Sequence, residues 1–127
     1  MSEKVSTHSI KSLEKYLENR EYLKVIQSIG TQYETTKEHF LVVQSYLGLG
    51  RYDQAEKLLI KWQSKLLNSD DWANWCFFYA IGLYGMRNKA DALTTLNFAD
   101  DFVKNAIDPT LKTKIETLKK KIHEDLT

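Results

Sequence analysis

Between Asp71 and Tyr84 the chain carries Trp72, Trp75, Phe77, Phe78, Tyr79 and Tyr84, with Ala73, Cys76, Ala80, Ile81 and Leu83 filling most of the gaps. Wound as a helix, this run presents aromatic or aliphatic side chains in every direction. A helix that is apolar all round has to be covered on most of its faces. The segments on either side carry one apolar stripe each, so they can serve as that cover. The expectation is an all-helical protein built around this aromatic helix, with strand signals essentially missing.

Composition narrows the reading. At 127 residues the chain supports one domain with a real core and is too short for two. A single proline, five glycines and 43% apolar content exclude a low-complexity or disordered chain. Eighteen basic against seventeen acidic residues leave a formal charge of +1, without the electrostatic footprint of a nucleic-acid or acidic-membrane binder. The balance favours a protein partner. Cys76 is the sole cysteine, so neither a disulfide framework nor a cysteine metal cluster is expected, and a reducing compartment fits best. The start, Met1 to Val5, lacks an apolar leader core, and no run approaches the roughly 18 apolar residues that span a bilayer. A cytoplasmic or nuclear location without membrane association is expected.

After a flexible segment at residues 1–8, Ile10, Leu13, Tyr16 and Leu17 recur at helical spacing up to about Asn19. Tyr22, Val25, Ile26 and Ile29 form the stripe of a second helix, ended or interrupted by Gly30. Thr35 and Glu38 have capping-box spacing and start a third helix bearing Phe40, Val43, Tyr46 and Leu47. Gly50 suits the left-handed position just past its end. Tyr52, Ala55, Leu58, Leu59, Trp62 and Leu66 mark the fourth helix. Asn68, followed by Asp70 and Asp71, supplies an N-cap and first-turn acids for the aromatic helix. Ala92, Leu96, Ala99 and Val103 define its return helix. Asp108-Pro109 starts a last helix with the stripe Leu111, Ile115, Leu118 and Ile122.

Laid on one another, the second helices of the pairs align Val25 with Ala55 and Ala92, and Ile29 with Leu59 and Leu96, at separations of 30 and 37 residues. Those separations bracket a period of about 34. Tyr46, then Gly50-Arg51-Tyr52-Asp53-Gln54-Ala55, then Leu59 resembles the tetratricopeptide pattern of tyrosine, turn glycine, tyrosine, small alanine and large apolar residue. The resemblance covers roughly residues 9 to 125. It implies three antiparallel helix pairs in a superhelix, at 9–34, 35–68 and 69–107, closed by a capping helix at 108–125 in a single domain. Trp62 and Gln32 stand where the family has alanine, and Val43 where it has glycine. A narrower likeness is to the N-terminal domain of fungal Sgt-type co-chaperones. The order is similar there: Phe77-Phe78-Tyr79 in the third pair, an acidic turn at Asp108-Pro109-Thr110, and a basic closing helix at Lys119-Lys120-Lys121. That likeness implies docking of the linker subunit of SCF ubiquitin ligases, kinetochore-related roles and self-association as a homodimer.

In the family's arrangement the concave groove is lined by Phe40, Leu41, Gln44 and Leu47 from the second pair and by Asn74, Phe77, Phe78, Ile81 and Tyr84 from the third. Such an apolar groove either binds a partner or is filled internally by the closing helix. Relatives that grip acidic chaperone tails use lysine, asparagine and arginine at positions that here hold Ile10, Glu14, Leu41, Asn74 and Phe78, so no carboxylate clamp is expected. Trp72, at a helix start beside two acids, is the best exposed tryptophan anchor, whereas Trp62 reads as core. Lys112, Lys114, Lys119, Lys120 and Lys121 share their helix with Glu116, Glu124 and Asp125 and read as a solvated face. His8, His39 and His123 lack acids or cysteines at ligand spacing, and Cys76 lacks a nearby histidine in the pattern. No phosphate loop or nucleophile elbow appears. The sequence therefore predicts a non-catalytic adaptor with no cofactor, metal or catalytic residue. The alternative is a self-associating structural module, or a subunit of a coat, tethering or membrane-fission complex. The last would need a membrane anchor that His123 to Thr127 does not supply.

Overall fold

The computed structural model describes residues 9–30 and 33–126. Expectations placed on residues 1–8, His8, Gln32 and Thr127 lie outside the described residues. Among the described residues seven α-helices follow one another: α1 (Ile10–Glu18), α2 (Tyr22–Ile29), α3 (Thr36–Gly48), α4 (Tyr52–Trp62), α5 (Ser69–Gly85), α6 (Lys89–Val103) and α7 (Thr110–Leu126). A 3₁₀ turn at Gln63–Lys65 follows α4, and no strand occurs among the described residues. Helices α1 and α2, α3 and α4, and α5 and α6 pack as pairs, and each pair leans on the first helix of the next. Helix α7 packs on both α5 and α6, in the place that the first helix of a fourth pair would take. The all-α architecture of three helix pairs and a closing helix is thus present.

Local chemistry sets the ends of these helices. The Thr35 hydroxyl accepts from the Glu38 amide at 3.1 Å, while the Glu38 carboxylate accepts from the Thr35 amide at 3.1 Å and the Glu34 amide at 3.2 Å. Asn68 accepts from the Asp71 amide at 2.9 Å and starts α5. Asp108 accepts from the Thr110 amide at 2.9 Å, and Pro109 stands just before α7. Each satisfies a backbone donor that has no partner inside the helix.

The turns within the pairs repeat one geometry. Glu21, Arg51 and Asn88 donate their backbone N–H to Tyr16, Tyr46 and Leu83, and the residues before them, Arg20, Gly50 and Arg87, donate to Leu17, Leu47 and Tyr84. This is the Schellman pattern, which needs a left-handed residue at its apex. That residue has φ of 60° at Arg20, 76° at Gly50 and 67° at Arg87. The glycine signal marks only the middle turn. In the outer two, arginine holds a conformation that costs a residue with a Cβ about 1–2 kcal/mol.

A second repeated device joins one pair to the next. The ring of Tyr22, at the start of α2, lies on Gly48 at the end of α3, where a Cβ would overlap it. Tyr52, at the start of α4, sits the same way on Gly85 at the end of α5. Below these joints the two predicted columns are closed to solvent: Val25, Ala55 and Ala92 are each 0% exposed, and Ile29, Leu59 and Leu96 are 3%, 1% and 0% exposed. The central helix is locked by its own tryptophan. Because the chain tightens after α4 so that the Gln63 amide bonds to Ile60, the Leu59 carbonyl is left without a helical partner. The Trp75 indole N–H donates to it at 2.7 Å.

His39, in the first turn of α3, is fully buried. Its ring stacks on Trp62 at 4.9 Å and 11°, its Nδ1 shares a 2.8 Å hydrogen bond with the Tyr33 hydroxyl, and its Nε2 has no partner. Burial lowers its pKa to about 4 and raises that of Tyr33 to about 12. The imidazole is therefore neutral in the folded chain at neutral pH.

Two predictions follow from this packing. Gly85→Ala should cost about 1–2 kcal/mol by forcing Tyr52 aside. In a Tyr52→Ala background the same change should be neutral or stabilising by up to about 1 kcal/mol, since alanine is then simply the better helix former. A double-mutant cycle by urea denaturation reads the reversal. For His39, the unfolded imidazole takes up a proton below about pH 6.5, whereas the folded one does so only near pH 4. Stability should fall across that window as pH drops, by on the order of 3 kcal/mol, and His39→Phe should flatten the dependence.

Candidate protein-binding groove

Positions 37, 40, 41 and 44 recur at helical spacing on α3, and positions 71, 74 and 78 do so on α5. The packing of α1, α3 and α5 turns these faces to one side, where they enclose a cleft of about 400 Å³. Glu14, Lys37, Phe40, Leu41, Gln44, Asp71, Asn74, Phe78, Asp108 from the turn before α7 and Lys114 from α7 itself line it. Phe40 and Phe78 meet at 5.2 Å and are 9% and 5% exposed, with Leu41 at 4%. These three form a floor rather than protruding contacts. Gln44 and Asn74 are half-buried and make the walls, and the Asn74 amide donates to the Asp70 carbonyl at 3.0 Å. Lys37 lies 3.8 Å from Glu14. The rim thus mixes acids and bases around the apolar floor, with Glu14, Asp71 and Asp108 against Lys37 and Lys114.

Phe77, the next predicted groove residue, lines a second and more apolar hollow of about 560 Å³ between α5 and α7. Its other walls are Pro109, Thr110, Thr113, Lys114, Thr117, Leu118 and Lys121. Lys114 borders both hollows, so they adjoin. Its ammonium stands 5.0 Å from the centre of the Phe77 ring and 5.9 Å from that of Phe78.

The remaining predicted residues stand elsewhere. Leu47 and Ile81 are half-buried against the core and line neither hollow. Tyr84 donates its hydroxyl to Asp125 near the end of α7, with the Lys121 ammonium 5.9 Å from its ring centre. That hydrogen bond, helped by partial desolvation, raises the Tyr84 pKa. Trp72 is half-buried and stacks on Phe102 of α6 at 5.6 Å and 18°, so it braces the third pair instead of standing free. Trp62 is 7% exposed, as a core residue should be.

The closing helix does not fill the groove with its apolar stripe. Leu111, Ile115 and Ile122, at 0%, 1% and 0% exposure, go into the core, while half-buried Leu118 lines the hollow together with the threonines and lysines of α7. Asp70 fixes the approach to α7: one carboxylate oxygen accepts from the Ile107 amide at 2.6 Å and the other from the Asp108 amide at 3.0 Å. The five lysines of α7, read from sequence as one solvated face, divide. Lys119 pairs with Asp100 at 2.6 Å, Lys114 and Lys121 stand over aromatic rings of α5, and Lys112 and Lys120 are exposed. The threonines at 110, 113 and 117, one helical turn apart, were the unused signal for this second face.

Among the described residues no three of His, Cys, Asp and Glu come together to hold a metal ion, and no helix is long and apolar enough to cross a membrane. Cys76 is 4% exposed, and burial pushes its thiol pKa up to about 11. A thiol so placed is a packing group. It should resist an aromatic disulfide reagent in the native chain at pH 8 and react within seconds in denaturant, read by absorbance.

No protein-family model, curated protein or solved structure matches this chain.

Proposed function

We propose that this chain is a non-catalytic protein-binding adaptor of the tetratricopeptide type, acting in the cytoplasm or nucleus, that takes a partner segment on the face shared by α1, α3, α5 and α7. One observation carries the reading. The two hollows adjoin across Lys114, so a single concave surface has an aromatic floor, amide walls at Gln44 and Asn74, and charged groups of both signs at its rim. Aromatic area covered by a partner supplies the favourable term, at roughly 25 cal/mol per Å² before the costs of association. The amides and charges select register. The repeated turn and the Tyr22–Gly48 and Tyr52–Gly85 joints support the tetratricopeptide assignment, because a repeated joint is what a stacked array requires.

The narrower reading is a co-chaperone or assembly-factor domain that docks the linker subunit of an SCF ubiquitin ligase. It rests on the sequence order of an aromatic α5, a return helix, an acidic turn at Asp108 and a lysine-rich α7.

The test is affinity capture from cytosolic extract with the native chain and with a Gln44→Arg, Phe77→Ser variant shown by circular dichroism to be folded. Those two positions are used because Phe78 is core, and a charge there would unfold the chain. Capture by the native chain, with at least about a tenfold loss in the variant, or about 1.4 kcal/mol, is the expected result. Equal capture by both moves the binding surface away from the groove and removes the reading. Recovery of SCF linker and ligase subunits supports the co-chaperone assignment. Recovery of an unrelated assembly keeps the adaptor and discards that name.

A further inference from the structure

We infer that the hollow between α5 and α7 receives an amphipathic acidic helix of a partner protein, laid along α7 with carboxylates two turns apart and a large apolar residue between them. This deepens the adaptor reading and rests on it. The argument starts from two ammonium groups. Lys114 and Lys121 both line the hollow, and α7 separates them by seven residues, or about 10.5 Å along its axis. Aromatic rings of α5 hold both: Phe77 lies under Lys114 and Tyr84 under Lys121. Neither is in an ion pair among the described residues, whereas Lys119 on the same helix is paired with Asp100 at 2.6 Å.

The nearby acids are engaged with donors of the protein. Asp108, close enough to Lys114 for mutual attraction, accepts from the Thr110 amide at 2.9 Å and the Thr110 hydroxyl at 2.7 Å, which with Lys114 holds its pKa down. Asp125 accepts the Tyr84 hydroxyl. Among the described residues no carboxylate lines the hollow itself. Two positive groups therefore flank an apolar surface of Phe77, Pro109 and Leu118, without negative groups between them.

The spacing selects the occupant. Residues seven apart in a helix lie on one face and rise by the same distance as Lys114 to Lys121, and residues three or four along fall between them on that face. A partner helix with acids at both ends of such a span sets both carboxylates against the lysines and turns its central apolar residue toward Phe77. Thr113 and Thr117, small for a helix surface, permit the close approach that helix packing needs. Beside apolar surface each ion pair is screened less than in open water.

The probe is a fluorescein-labelled, alanine-based helical peptide with two glutamates seven positions apart and a leucine–phenylalanine pair midway, followed by anisotropy. Saturable binding to the native chain is expected, weakening as salt rises. It should fall at least tenfold when glutamines replace the peptide's glutamates, or when the protein carries Lys114→Gln and Lys121→Gln. Lys114→Arg with Lys121→Arg should restore it, which a merely structural role of the lysine stems would not do. Absence of binding, equal binding of the glutamine peptide, or full binding by the doubly glutamine-substituted protein overturns the inference. Should that variant lose its helical signal, a photoreactive group on the peptide's phenylalanine decides on the native chain. Crosslinks to α7 and Phe77 support the site, and crosslinks elsewhere overturn it. Loss of peptide binding together with intact Gln44- and Phe77-dependent capture removes the acidic helix and leaves the adaptor. Failure of both removes both.

Discussion

A helix without a polar face cannot stand at a surface, and α5 is such a helix. Its seventeen residues bury Ala73, Trp75, Cys76, Phe78, Ala80, Gly82 and Leu83. Four other helices, α3, α4, α6 and α7, close around it. Much else follows from that need. Helix α6 carries Ala92 and Ala99 because it has to approach α5 closely, and α7 exists as a cover with one apolar stripe. The first pair, remote from α5, forms its own smaller cluster of Leu13, Val25 and Ile29 against Leu41 and Val42 of α3. The molecule is thus a well-packed centre with a lighter pair joined to it through α3.

The architecture was legible in the sequence because its signals are local. Apolar spacing along each helix, the Thr35–Glu38 box, Asn68, and Asp108 before Pro109 act within a turn or two of chain and gave the helix starts within a residue or so, whereas α4, whose spacing runs on to Leu66, ends at Trp62 where the chain tightens into a 3₁₀ turn. The turns were legible only in part. Gly50 announces a left-handed residue, but Arg20 and Arg87 reach the same conformation because the hydrogen bonds to Tyr16 and Leu83 around them require it. Likewise Gly48 and Gly85 stand at helix ends, but what calls for glycine there is a tyrosine ring more than twenty-five residues away in the chain. No pattern within a window of local sequence contains that demand.

The candidate site was harder for the same reason. Phe40, Gln44, Asn74, Phe77 and Phe78, grouped on one face through the resemblance to the repeat family, line the two adjoining hollows. Period does not tell floor from wall: Phe40 and Phe78 bury each other, which depends on how far α3 and α5 approach. Trp72 illustrates the limit, since its exposure was decided by Phe102 on another helix. The lysines of α7 looked alike in sequence. They differ because Asp100 faces one of them and aromatic rings face two others.

The ring-on-glycine joint appears twice and then stops. At the third junction Lys89 takes the tyrosine's place, and its ammonium donates to the Asp125 carbonyl at 3.3 Å in the open, alongside the Tyr84–Asp125 hydrogen bond, the Asp70 contacts and the Lys119–Asp100 pair. In a stacked array each unit is held only by its neighbours, so cooperativity is no stronger than the weakest seam. The seam of α7 is stitched along its length by buried Leu111, Ile115 and Ile122, with solvated polar groups fastening both ends. Helix α7 is therefore keyed to the array by its apolar stripe rather than by a ring seated on a glycine, and the wall it lends to the hollow beside α5 is set by how deeply that stripe is sunk.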